Sequence, residues 1–208
     1  MYRILTTLAL TLTLLVPLAA VSPWTPVAER SSPSVVFLET IDEGGEREGA
    51  CSGFVIDTVK KHVLTVAHCD DAETILVNDT KGVILFKDIR KDLMVLEVAN
   101  LEKLPAIALA THDPQVGDEI MSIGFGYGLD KPMVRVSMVS ITNLNIKGRS
   151  GPFFVFDAGF ILGQSGGPIL DSEGKLISIV QQGDAGSGIG VNIKVIRDRV
   201  GSYFQSSQ

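Results

Sequence analysis

The feature that most constrains the fold is the rhythm of short apolar runs. Between Ser34 and Ile193 they recur about every ten residues: Ser34–Glu39, Gly53–Asp57, His62–Val66, Thr74–Val77, Val83–Lys87, Leu93–Val98, Glu119–Ile123, Val134–Ile141, Phe153–Phe156, Pro168–Leu170, Leu176–Val180 and Gly188–Ile193. Gly, Asp, Asn and Lys separate them. Runs this short and this rich in branched residues suit pleated strands better than helices. Many of them at even spacing predict an all-β sandwich or barrel. The polar, turn-rich segment Ala110–Gly117 divides the runs into two sets of about six. The expected architecture is therefore two six-stranded antiparallel β-barrels, one over about 34–110 and the other over about 116–193. Val195, Ile196, Val200 and Phe204 then fall at near-helical spacing, which predicts a C-terminal helix over about 194–204.

The first 22 residues are of a different kind. Arg3 supplies a short positive start, Ile4–Leu15 is apolar apart from threonines, and Pro17 precedes the small residues Ala19, Ala20 and Ser22. This pattern predicts a secretory signal peptide cleaved after Ala20 or Ser22. Retention as a membrane anchor is the alternative, although the apolar stretch is short for a full span. Residues 23–33 hold three prolines and two serines and read as an extended N-terminal arm. Export places the chain in the periplasm or outside the cell, where its two cysteines, Cys51 and Cys69, are expected to form one disulfide rather than remain free thiols.

Composition excludes some functions. The chain has 208 residues, 45% of them hydrophobic, which is enough for a sizeable core. Its net charge is −6, and losing Arg3 with the leader would make it −7. No Lys/Arg-rich run occurs, so nucleic acid is not an expected partner. No His/Cys/Asp cluster has metal-ligand spacing, so neither a metal nor another cofactor is expected.

Chemistry concentrates in the hexapeptide Gly163-Gln164-Ser165-Gly166-Gly167-Pro168. Its glycines accept backbone angles closed to other residues, so the turn can expose the Ser165 hydroxyl and converge backbone N–H groups on one point. That is the skeleton of an acyl-transfer site. An ordinary tight turn is the bland alternative. Two more segments bear on the choice: Thr65-Val66-Ala67-His68-Cys69 follows an apolar run, and Asp92-Leu93-Met94-Val95-Leu96 opens one with an acid.

These segments, in the order His, Asp, Ser, resemble the chymotrypsin-like (trypsin-fold) serine proteases over about residues 34–200. The resemblance implies that His68 is the general base, that Asp92 holds the imidazole in the correct tautomer, and that Ser165 is the nucleophile. It assigns the oxyanion hole to the N–H groups of Gly163 and Ser165. It also pairs Cys51, in Cys51-Ser52-Gly53-Phe54-Val55-Ile56, with Cys69 beside the histidine. Asp88 is a local rival to Asp92, but the family pattern puts the acid directly before the apolar strand. His62 follows two lysines and is expected to face solvent, and His112 falls in the inter-barrel segment.

The residue before the nucleophile is Gln164, where zymogen-activated members have an aspartate that binds a new N-terminus, so activation of that kind is not expected. Val116-Gly117-Asp118-Glu119-Ile120, leading into Ile123-Gly124-Phe125-Gly126, looks more like the bacterial HtrA/Deg-type peptidases. The sequence ends at Gln208 without the PDZ domain many of those carry, which puts their allosteric regulation in doubt. By position Gly159 would lie at the base of the specificity pocket, with Phe160 beside it. Val180–Gly183, including Gln182, and Gly188–Val191 would form its walls. Asp157 is two residues too early to serve as an acidic base. The implied function is an exported serine endopeptidase acting on proteins or peptides, with apolar residues preferred before the scissile bond. A non-catalytic binding module on the same scaffold is the alternative, and the oligomeric state is not readable.

Overall fold

The computed structural model describes residues 22–206, apart from 71–73, 102–103, 148–149 and 160. The leader expected over residues 1–22 thus lies outside the described residues except for Ser22.

Twelve strands form two closed antiparallel barrels. In the first, β1 (Val35–Ile41), β2 (Arg47–Asp57), β3 (His62–Thr65), β4 (Thr74–Val77), β5 (Thr80–Asp88) and β6 (Leu93–Val98) close in the order β1-β2-β3-β6-β5-β4. In the second, β7 (Glu119–Gly124), β8 (Met133–Leu144), β9 (Phe153–Phe156), β10 (Pro168–Leu170), β11 (Leu176–Gly183) and β12 (Gly188–Val191) close in the order β10-β11-β12-β9-β8-β7. Closure removes the exposed strand edges that short strands would otherwise offer to other chains.

One apolar cluster fills the first barrel and runs across the junction. It joins Phe54, Leu64, Met94 and Leu96 to Met121, Ile123, Leu176 and Ile179 of the second barrel. A smaller cluster of Ile120, Val139, Phe154, Phe156, Ile169 and Ile177 fills the second barrel. The barrels are therefore held against each other by core, and a cleft between them has rigid walls.

The C-terminal helix α2 (Ile193–Val200) is capped by Asn192, whose side chain accepts the Lys194 N–H at 2.9 Å. Val195, Ile196, Val200 and Phe204 all join the larger cluster. On the outer face Arg197 reaches back to the inter-barrel segment, bonding Ala110 O at 2.7 Å, His112 O at 3.0 Å and Asp113 at 2.8 Å. His112 itself stays exposed there.

Two local expectations are corrected. Residues Thr25–Ser31 form a helix, α1, rather than an extended arm. Pro26 sits at its start, where a missing N–H costs nothing, and Trp24 and Val27 bury their side chains in the core. His62 does not face solvent: it is 8% exposed, and its Nδ1 lies 2.9 Å from Tyr203 O. The chain beyond α2 folds back over β3 and covers the ring, which meets Tyr203 edge-on. Two flanking lysines report nothing about a cover supplied from 141 residues away.

Candidate active site

His68 sits in a single 3-10 turn, Ala67–Cys69, directly after β3. Cys69 is disulfide-bonded to Cys51 on β2, with Cα atoms 6.3 Å apart. The bridge ties the histidine turn to the middle of a buried strand. Closing a loop of 18 residues restricts the unfolded chain by about 3 kcal/mol in the chain-entropy picture. The Cys51→Ser/Cys69→Ser double variant should accordingly lose about 3 kcal/mol, measured as a lower urea midpoint with a somewhat steeper slope, because the unbridged unfolded chain exposes more surface.

Asp92 precedes β6 in a left-handed backbone conformation with φ 55°. Asp is one of the few side-chain-bearing residues that accept this region readily. Its carboxylate grips the histidine twice: Oδ1 accepts the His68 N–H at 2.9 Å and Oδ2 lies 2.8 Å from Nδ1. An ionised carboxylate can only accept, so Nδ1 carries the proton and Nε2 is left as the ring's acceptor. The turn is fixed from the other barrel. Gln181 Nε2 donates to Lys91 O at 3.0 Å, and Lys91 Nζ donates to Gly151 O at 2.8 Å.

Asp88 does something different. It accepts the Arg90 and Lys91 N–H groups at 3.1 Å each and ion-pairs with Arg199 of α2 at 2.7 Å. Partial burial pushes its carboxyl up, but the Lys91 N–H and the Arg199 guanidinium outweigh this and hold it below the ordinary 3.8. It shapes the turn and is not among the residues that line the inter-barrel cleft.

Ser165 lies in the turn before β10 and is 6% exposed. Its neighbours Gly163 and Gly166 both have positive φ, 94° and 84°. A Cβ on Gly166 would strike Ser52 O and Thr65 Oγ1, and one on Gly163 would strike Phe125 O. Glycine is thus required twice over, by angle and by space. Among the described hydrogen bonds, the Gly163 and Ser165 N–H groups have no protein acceptor. Ser165 Oγ donates to Gln181 O at 3.3 Å.

His68, Asp92 and Ser165 line one inter-barrel cleft of about 890 Å³, together with Gly163, Leu162 and Gln182. Residues 51–179 match the trypsin-like peptidase domain. The chain belongs to the trypsin-like peptidase family. Within it, the chain is 34% identical over 137 residues to the periplasmic serine endoprotease DegP of Salmonella typhimurium, covering 62% of this chain and 29% of that one. It is 32% identical over 159 residues to the periplasmic pH-dependent serine endoprotease DegQ of Escherichia coli, covering 70% and 35%. The chain spans about a third of the length of these curated relatives. The structure of the HtrA-type protease AlgW with a tripeptide superposes with a TM-score of 0.75 at 26% identity, covering 86% of this chain and 62% of that one.

Other trypsin-like peptidase site residues expected here fall as follows. Gln182 is exposed and lines the cleft. Gly159 packs against the Ala185 backbone, and its carbonyl accepts the Arg135 guanidinium. Phe160 lies outside the described residues. Asp157 is exposed and accepts the Met138 N–H at 2.6 Å. Sequence reasoning placed Gln181 only within the Val180–Gly183 wall and missed its bond to Lys91. Their contacts join segments 90 residues apart, and nothing local in either segment announces them.

Proposed function

We propose that this chain is an exported serine endopeptidase of the HtrA/Deg type, with Ser165 as nucleophile, His68 as general base and Asp92 as the group that orients the imidazole. The observation that carries the reading is the double grip of Asp92 on His68, in one cleft with Ser165 and Gly163, whose N–H groups have no acceptor among the described hydrogen bonds. For attack, the Ser165 hydroxyl swings from Gln181 O to His68 Nε2, which takes its proton as the oxygen adds to the peptide carbonyl. The resulting oxyanion is met by the Gly163 and Ser165 N–H groups. His68 then returns the proton to the leaving amine, and water hydrolyses the acyl-enzyme by the same route in reverse. A catalytic hydrogen bond that is loose without substrate is common in such sites. The periplasmic location of the relatives supports export.

We further propose that residues before the scissile bond are apolar. Asp157 accepts the Met138 N–H, Asp184 beside Gly159 accepts the Gly186 and Ser187 N–H groups, and the cation behind Gly159 is Arg135, a setting that does not favour a Lys or Arg side chain. A fluorophosphonate probe should label Ser165, and a peptide library should be cut chiefly after apolar residues. Tight binding of a protein partner with neither labelling nor turnover would point instead to a non-catalytic module. Cleavage dominated by Arg or Lys would sink the specificity.

A further inference from the structure

Ser52 lies on β2 of the first barrel, next to the disulfide-bonded Cys51, and has no exposed surface. Its polar atoms nevertheless serve the nucleophile loop of the second barrel. Its N–H donates to Ser165 O at 2.7 Å, and its hydroxyl donates to Gly163 O at 2.8 Å. The same hydroxyl accepts the Phe125 N–H at 2.8 Å. A serine hydroxyl has one proton to give, and here it is given to Gly163. Behind it, Thr65 Oγ1 donates to Ser52 O at 2.8 Å.

Gly163 is the third residue of a turn closed by Gln164 N–H to Ile161 O at 3.1 Å. With φ at 94°, this third position leaves the Gly163 N–H pointing out of the turn. Such turns have an alternative in which the central peptide flips and the N–H points elsewhere. The central peptide, Leu162–Gly163, is held by Tyr127 N–H on Leu162 O at 2.8 Å, and the next peptide, Gly163–Gln164, by the Ser52 hydroxyl on Gly163 O, so Gly163 is fixed from both sides. We infer that Ser52 is a positioning residue for oxyanion stabilisation: from the opposite barrel, its hydroxyl holds the Gly163 carbonyl, and with it the turn that presents the Gly163 N–H. The inference rests on the reading of the site given under Proposed function. Ser52 itself touches no reacting atom. Without its hydroxyl, Gly163 O and Phe125 N–H are both left without their buried partner, and the turn loses one of its two restraints.

The test is Ser52→Ala in the full chain. Rates are taken per site titrated with a fluorophosphonate, using a chromogenic peptide drawn from the library. Full loss of an oxyanion donor lowers kcat by about a hundredfold to a thousandfold, so a mispositioned donor should lower it by about tenfold to a hundredfold with KM little changed. Affinity for a peptidyl boronic acid, whose oxygen takes the oxyanion position, should fall by the same factor. Ser52→Cys keeps a weaker donor in place and should fall between the two; it also carries the test if Ser52→Ala does not fold. A merely structural serine would lower the melting temperature and leave kcat per titrated site and boronate affinity at the wild-type values, and that result overturns the inference. Wild-type protein that neither turns over peptide nor takes boronate overturns the underlying reading of the site, and this inference with it.

Discussion

Ser165→Ala should lower kcat by about a million-fold while leaving the fold and peptide binding intact. Among the described hydrogen bonds the hydroxyl makes one, to Gln181 O at 3.3 Å, so its removal costs little stability. The turn is set by other groups: the Gly163 and Gly166 angles, and the Ser52 N–H on Ser165 O. The variant keeps the Gly163 and residue-165 N–H groups, and with them the capacity to polarise a bound carbonyl. A residual rate of about a thousandfold to ten-thousandfold over water is therefore expected, because oxyanion stabilisation and binding survive the loss of the nucleophile. Turnover of a chromogenic peptide, with a thermal melt as the control for folding, checks this. A variant within tenfold of wild type would remove Ser165 from the mechanism.

Much of the fold was legible because period and punctuation are local. Thr74–Val77, Leu93–Val98, Phe153–Phe156 and Pro168–Leu170 are strands with the bounds their apolar runs suggest. β8 runs to Leu144, three residues past its apolar run, because pairing with β9 carries it on: Leu144 pairs with Phe153. His68, Asp92 and Ser165 were picked out by the family resemblance of three local motifs, and the structure brings all three to one cleft. What stayed hidden is held by distant partners. The covering of His62 by Tyr203, the Gln181 clamp on Lys91 and the reach of Ser52 into the nucleophile loop all join segments far apart in sequence. Barrel closure decides those contacts, and the residues involved are ordinary in their own neighbourhoods. The helix α1 was hidden for another reason. The prolines in and around it read as part of an extended arm, but Pro26 stands at the first turn, where proline is accepted.

Asp92→Asn should lower kcat by about ten-thousandfold, about 5.5 kcal/mol of transition-state stabilisation, with almost no change in structure. Asparagine tolerates the left-handed φ of 55° at this position, so the backbone has no reason to move. Its carbonyl oxygen can still accept the His68 N–H, and the Gln181 and Lys91 contacts that fix the turn are untouched. The change is confined to the atom 2.8 Å from His68 Nδ1. There an acceptor becomes an NH₂ donor, which forces Nδ1 to accept and moves the ring proton to Nε2. Nε2 then cannot take the Ser165 proton, and the hydroxyl is again a poor nucleophile. Asp88→Asn is the matched control. It carries the same chemical change four positions away, on a carboxylate committed to Arg199 and two turn N–H groups. It should weaken the turn's tie to α2 and leave kcat within a few-fold of wild type. If the two variants lose activity equally, Asp92 is acting only as part of the turn, and the orienting role falls. If only Asp92→Asn is silenced, the loss belongs to the tautomer of His68, since everything else around the site is shared.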